Sequence, residues 1–165
     1  MANIKDLLAY LLLNYPKTSD LSKTRATKLI YLCDWRHCLT HNRQITDIEW
    51  IFDNFGPFVW DVMNEIRANP ELFDTVETTN SFGSAKLLIR IINRHYSPNL
   101  SKEEIETANF VIRGTVDLSM DSFIKLIYST YPILMAERGD ILNLQKLARE
   151  YKRSTVYKNN RSSNE

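Results

Sequence analysis

The sequence predicts a mainly helical α+β fold, with about six helices packed around a central apolar helix and a small three-stranded antiparallel sheet. Only four glycines and five prolines interrupt the 165 residues, which favours helices over a turn-rich all-β fold. The chain is 44% hydrophobic and 25% charged, an ordinary globular composition. Apolar residues recur at helical spacing over most of the chain and alternate in a few short stretches.

The length fits one domain. A chain of this size buries roughly 68–70% of the surface that its unfolded form exposes, so neither a metal nor a disulfide is needed to hold it together. Apolar residues almost vanish after position 151. We therefore expect one folded domain over residues 1–151, followed by a basic, disordered tail over residues 152–165.

The first two predicted helices carry the strongest helical pattern. Asn3 fits the N-cap of the first helix, and Pro16 ends it. The second helix is expected over residues 22–40 and is apolar around most of its circumference, which is typical of a helix at the centre of a fold. One of its apolar stripes consists of Ala26, Leu29, Ile30 and Cys33.

Three stretches are expected to be strands. Residues 45–55 alternate with a period of two, and residues 72–79 and 86–92 follow as two more strands joined by a polar turn. We expect these three strands to form one antiparallel sheet. Gly56 and Pro57 break the first strand, and Pro57 fits the first turn of a short third helix.

The second half of the sequence returns to helical spacing. Ser101 and Glu104 have the spacing of a capping box at the start of a fourth helix. A fifth helix is expected after residues 117–119, and a sixth after Asp140. No internal repeat is present.

The charge balance argues against nucleic acid as a partner. The chain has 21 basic and 20 acidic residues, a net charge of +1, whereas a domain that binds a phosphate backbone usually carries a strong basic excess. From Lys146 onward there are six basic and two acidic residues, a local balance of +4. A solvated helix end is the favoured interpretation of that segment, with a nucleic-acid-binding tail as the alternative.

The sequence also indicates a cytoplasmic protein without a membrane partner. No stretch reaches the ~18–20 apolar residues of a membrane span, and the first residues do not follow the pattern of a signal peptide. Cys33 and Cys38 are five residues apart in one predicted helix and point to different sides of it, so no bridge between them is expected. Two free cysteines suit a reducing compartment.

Residues with the potential for chemistry are few. Cys33, His37 and His41 are spaced four residues apart and would lie along one helix face, as ligands of zinc or copper could. Tetrahedral sites usually draw on two elements, and Cys33 belongs to an apolar stripe, so a structural role is favoured. The sequence has no GxSxG, HExxH or P-loop motif. We expect no cofactor, no metal and no catalytic residue.

Large aromatic side chains are concentrated in one region. Within 26 residues the chain has Trp35, Trp50, Phe52, Phe55, Phe58 and Trp60. Most aromatic residues are core residues, but six in so short a region are hard to bury in a small domain, and half-exposed aromatics commonly anchor protein interfaces. The residues predicted to contact a partner are Trp35, Trp50, Phe55, Phe58 and Trp60.

One stretch of the second predicted helix resembles a motif of a known family. Residues 22–35 read SKTRATKLIYLCDW, which is similar to the Panacea motif. Its marked positions in this sequence are Lys28, Leu29, Tyr31, Asp34 and Trp35. The later pair Gly56-Pro57, after a strand that ends in an aromatic residue, and the segments 128–134 and 139–151 are also similar to the family. The chain thus resembles the Panacea domain family, which includes SocA-like antitoxins and phage-associated GepA-like proteins.

The resemblance implies the antitoxin half of a bacterial or phage toxin–antitoxin pair, which neutralises a cognate protein toxin by direct binding. An adaptor that delivers its toxin to a protease, or a phage-borne regulator of the same fold, is the alternative. A DNA-binding autoregulator is less favoured. The family positions expected to be structural are Lys28, Tyr31, Asp34, Gly56 and Pro57.

Overall fold

The computed structural model describes residues 3–17 and 21–162. In that part of the chain there are seven helices and five strands. The helices are α1 (Ile4–Asn14), α2 (Lys23–His41), α3 (Asp61–Ala68), α4 (Lys102–Thr115), α5 (Met120–Ser129), α6 (Tyr131–Met135) and α7 (Leu144–Ser162). The strands are β1 (Trp50–Asp53), β2 (Gly56–Phe58), β3 (Phe73–Thr79), β4 (Ala85–Ile91) and β5 (Ile141–Leu142). The predicted fold class is confirmed. Among the described residues, no helix is both long and apolar enough to cross a bilayer.

Helix α2 is the central element of the fold. It packs against α1, α4, α7, β2 and β4, and most of its residues are buried. Its N-cap is Ser22, whose hydroxyl accepts a hydrogen bond from the backbone N–H of Arg25. The C-cap is Asn42, which adopts the left-handed conformation (φ 60°) and donates its N–H to the carbonyl of Cys38. A residue in this conformation satisfies the last free carbonyls of a helix.

Local signals placed two other helix starts correctly. Asn3 caps α1 by accepting a hydrogen bond from the N–H of Asp6 at 2.9 Å. Ser101 and Glu104 form the predicted capping box at the start of α4, with both reciprocal hydrogen bonds present. One helix of the described chain, α6, was not among the six predicted. It has only five residues, and a single turn of helix is too short to show a hydrophobic period.

One sheet has three antiparallel strands, as predicted. Of the three stretches expected to form it, only the first contributes a strand. Strands β2, β1 and β5 form it, in that order, whereas β3 and β4 pair separately as a two-stranded hairpin. Strands of two and three residues show no alternation, which is why β5 and β2 were missed. Pro57 does not begin the third helix: it lies in β2, at the edge of the sheet, where its missing N–H costs no ladder hydrogen bond.

The expected disordered tail is not what the structure shows for residues 152–162. Helix α7 continues through Ser162, and positions 163–165 lie outside the described residues. The Tyr151 ring packs against the rings of Trp35 and Tyr131, with centroids 6.2 and 5.4 Å apart. The Nζ of Lys152 donates to the Oδ1 of Asn42 at 2.6 Å. These contacts bind α7 to the end of α2, and the domain boundary at residue 151 stays a prediction.

Candidate partner-binding surface

Asp34 is a fully buried carboxylate that attaches the loop after α2 to the helix. Its Oδ1 accepts hydrogen bonds from the backbone N–H groups of Ile45 (3.0 Å) and Thr46 (2.9 Å). Its Oδ2 accepts from the Thr46 hydroxyl (2.6 Å), the Trp50 indole N–H (2.9 Å) and the Gln44 amide (3.3 Å). Burial raises the pKa of Asp34 to about 6, although these donors favour the ionised form. These five hydrogen bonds, the Asp34 network, hold the segment from Gln44 to Trp50 against α2.

The predicted contact residues Trp35 and Trp50 belong to the core. Trp50 is 0% exposed, and its ring meets that of Tyr31 edge-to-face at 5.5 Å. The Tyr31 hydroxyl lies 2.8 Å from Thr130 Oγ1, which in turn donates to the carbonyl of Ile127, so Tyr31 is the donor to Thr130. Trp35 is buried against α7. Neither tryptophan can contact a partner in this structure, and the prediction for both is corrected.

The outer face of the three-stranded sheet carries exposed apolar side chains. In β1 the residues alternate, with Trp50 inward and Ile51 outward. Ile51 lies directly opposite Phe58 of β2 and Ile141 of β5, and side chains of directly opposite residues share one face. The Trp60 ring packs edge-to-face on the ring of Phe58 at 5.2 Å. We call this line across the sheet the apolar row: Trp60, Phe58, Ile51 and Ile141.

The apolar row is open to solvent. Trp60 is 60% exposed and Ile141 is 61% exposed, and Phe58 is half-buried. Phe55, at the turn between β1 and β2, is 79% exposed. The Nζ of Lys23 lies 5.3 Å from the centre of the Trp60 ring, a cation–π contact at the end of the row. Contiguous apolar patches of this kind on a protein surface mark interaction sites.

Three of the five predicted contact residues therefore lie at this surface: Phe55, Phe58 and Trp60. Sequence reasoning missed Ile51 and Ile141. The alternation around Trp50 already placed Ile51 on the opposite face of the strand, so Ile51 could have been found. Ile141 belongs to a two-residue strand that pairs with β1, some ninety positions earlier in the chain, and no local signal marks it.

Gly56 and Lys28 meet at the end of the β1–β2 hairpin. Gly56 has a φ of +101°, which L-amino acids with a side chain rarely adopt, so glycine is required for the turn. A Cβ at Gly56 would lie 3.7 Å from the Cε of Lys28. Lys28 is 3% exposed, and burial lowers the pKa of its ammonium, partly offset by the charge of Asp53. Pro57, opposite Phe52, is buried.

The cysteine and the first histidine whose spacing suited a metal site, Cys33 and His37, are buried in α2. Thr107 Oγ1 donates to the carbonyl of Glu103 and lies 2.8 Å from His37 Nδ1, so His37 carries its proton on Nδ1. Burial lowers the pKa of His37 to about 4, and burial raises the pKa of Cys33. The ring of His41 stacks on that of His37 at 4.4 Å. Within the described ranges, no three His, Cys, Asp or Glu residues are arranged to hold a metal ion.

Comparison with known families gives one match. A family model described as "Antitoxin SocA-like, Panacea domain" matches residues 27–132, which is more than half of the chain. The matched range contains the Asp34 network, Lys28, Gly56 and three members of the apolar row. Neither curated proteins nor solved structures gave a significant match.

Proposed function

Because the chain belongs to the family of SocA-like antitoxins with a Panacea domain, we propose that it is the antitoxin of a toxin–antitoxin pair and that it neutralises a cognate protein toxin by direct binding. The single observation that supports binding at a defined place is the apolar row on the outer face of the sheet. The row begins at Trp60, next to Lys23, and continues through Phe58 to the two isoleucines.

The composition of this surface is that of an interface centre. Tryptophan is among the residue types that contribute most to binding when a partner covers them. A stable interface buries about 800 Å² on each side, so the toxin must extend beyond the row, and exposed Phe55 at the hairpin turn is the nearest further anchor. The sheet beneath the row is fixed by the Asp34 network, which gives the surface a rigid support.

We propose binding rather than catalysis as the activity. A nucleophilic cysteine needs a low thiol pKa and access to substrate. Cys33 and Cys38 are buried, and burial raises the pKa of both thiols, that of Cys38 to about 12. Because both are free thiols, we also place the protein in the reducing cytoplasm, together with its toxin.

The test uses the protein encoded by the neighbouring open reading frame. Co-expression of this chain should restore growth to cells that express that neighbour, and the two proteins should co-purify. Replacing Trp60 by Ala should weaken the complex at least tenfold and abolish the growth rescue, while the unfolding free energy falls by no more than about 1 kcal/mol because the side chain is exposed. The matched control is Phe82→Ala, which removes another exposed ring, in the β3–β4 turn.

Four results would redirect the proposal. Full rescue by both Trp60→Ala and Phe58→Ala would move the binding surface away from the apolar row. A parent chain that neither binds the neighbour nor restores growth would end the antitoxin proposal. Rescue that requires a cellular protease and lowers the level of the neighbour would favour the adaptor. Duplex DNA binding with a steep salt dependence would favour the autoregulator.

A further inference from the structure

Lys28 is a buried cation without an acceptor in the described part of the chain. It lies in α2 with 3% exposure, and no hydrogen bond or ion pair of its ammonium is found there. In the same residues, the fully occluded side-chain nitrogen and oxygen atoms without a hydrogen bond are His37 Nε2 and Glu104 Oε2. The Nζ of Lys28 is therefore not fully occluded: its stem is buried, and its tip reaches solvent.

Such an arrangement costs stability. Burial lowers the pKa of Lys28, since an ammonium loses hydration that no protein acceptor replaces. The charge of Asp53 favours the ammonium form, but the two groups form no ion pair within 4 Å among the salt bridges of the described chain. The Oδ1 of Asp53 instead accepts a hydrogen bond from the N–H of Asn54.

The position of Lys28 connects it to the apolar row. Its Cε packs beside Gly56, which lies two residues before Phe58 in β2 and directly opposite Asp53 of β1. The neighbouring Phe55 is exposed at the same turn. A partner that covers the row and the turn would reach the tip of Lys28.

Building on the proposed function, we infer that Lys28 binds a carboxylate of the toxin, supplied by an acidic side chain or by the toxin's C-terminus. An acceptor that arrives with the partner would replace the lost hydration of the ammonium, and the covering toxin would exclude water and strengthen the ion pair. A segment with one carboxylate flanked by apolar side chains fits Lys28 and the row together.

The surroundings favour a protein carboxylate over a phosphate backbone. The exposed side chains beside Lys28 and the row include Asp53 and Asp61, with Lys23 as a further cation. A polyphosphate chain would meet these acids, whereas a single carboxylate needs only the one buried ammonium. A carboxylate that binds there is selected by position rather than by a field of positive charge.

The test replaces Lys28 by Met, which has a similar length and no charge. We expect Lys28→Met to bind the toxin, the product of the neighbouring open reading frame, at least tenfold more weakly. Its unfolding free energy should be equal to or higher than that of the parent, because an unpartnered buried charge has been removed. Lys102→Met removes the same charge from an exposed position and should change neither quantity.

A scan of the toxin then identifies the acceptor. Replacing each acidic side chain by its amide, and separately extending the C-terminus by a few residues, distinguishes the two sources of the carboxylate. One of these changes removes the acceptor of Lys28. That change should cause no additional loss of affinity when it is combined with Lys28→Met, because the ion pair is already absent.

Two results would contradict the inference and leave the antitoxin proposal intact. The clearest is Lys28→Met that binds the toxin as the parent does, while Trp60→Ala does not. A second is loss of stability in Lys28→Met that disappears when Asp53 is replaced by Asn, which would make Asp53 the true acceptor. If the parent chain itself does not bind the neighbour, both the antitoxin function and the role of Lys28 are lost.

Discussion

Trp50 and Trp60 are ten positions apart and have the same side chain, yet they lie on opposite sides of the same small sheet. The Trp50 indole donates to buried Asp34, and its ring packs against Tyr31. Trp60 packs against Phe58 and Lys23 at the surface. The comparison shows that aromatic content alone does not identify an interface. Trp50 lies in the core because its indole has a polar partner and its position in β1 points inward. Among the residues that the structure describes, Trp60 has neither feature and stays exposed.

The same contrast applies to the two faces of β1 as a whole. The inner face belongs to a cluster in which every hydrogen-bonding group of Asp34 has a partner, so changes there should act on folding. The outer face contributes little to the core, so changes there should act on binding. Each of the following experiments separates folding from binding at one position.

The largest expected effect is the loss of the inner tryptophan. Trp50→Ala should lower the unfolding free energy by about 3–5 kcal/mol, since it leaves a cavity and removes a donor from a buried carboxylate. Trp60→Ala should lower it by no more than about 1 kcal/mol, since its ring makes only exposed contacts. Urea denaturation of both variants measures the difference. Equal losses would show that the sheet does not separate core from surface in this way.

A second experiment titrates the inner cluster. Burial raises the pKa of Asp34 to about 6, against about 3.9 for an unperturbed aspartate. The folded state then binds this proton more tightly than the unfolded state, so the contribution of Asp34 is complete below pH 4 and is lost as the pH rises through 6. The loss amounts to about 3 kcal/mol.

The measurement is the unfolding free energy of the parent minus that of Asp34→Asn, taken from pH 4 to pH 7. Asparagine does not titrate, so groups common to both proteins cancel. We expect this difference to fall with rising pH. A difference that rises with pH would mean that the donors around Asp34 outweigh its burial and hold its pKa below the ordinary value.

Local signals in the sequence predicted the helices of this fold better than the sheet. The caps at Asn3 and Ser101 depend on residues three apart, and α2 has an apolar pattern long enough to be recognised. Strand β5 has two residues and pairs with a strand some ninety positions earlier. No pattern within such a strand can specify that pairing.

The candidate surface was predictable in part for the same reason. Alternation in β1 separates Trp50 from Ile51, but it does not say which of the two faces is the core. That choice is made by Asp34, which lies 16 residues before Trp50 and binds its indole. The sequence therefore predicted a region that does carry exposed aromatic side chains, Phe55 and Trp60, and it included two residues, Trp35 and Trp50, that the fold buries.

A third experiment addresses the turn that joins the two faces. Gly56→Ala should cost about 1–2 kcal/mol of unfolding free energy, because alanine is strained at a φ of +101°. The added Cβ meets only ordinary contacts of 3.6–3.7 Å, so steric overlap adds little. The control is Gly114→Ala in α4, where no atom lies within 4 Å and alanine should stabilise the helix by up to about 1 kcal/mol. A gain in both variants would show that the turn tolerates a side chain.

The smallest expected effect lies at the exposed end of the apolar row. The Lys23 ammonium lies 5.3 Å from the Trp60 ring, and an exposed cation–π contact contributes about 0.5–1 kcal/mol. Lys23→Met should therefore lower the unfolding free energy by no more than about 0.5 kcal/mol, since the apolar stem of methionine still covers the ring. A double-mutant cycle with Trp60→Ala measures the coupling of the two side chains. A coupling above about 1 kcal/mol would mean that Trp60 is more firmly held than its exposure indicates, and that the outer face shares in the stability of the inner one.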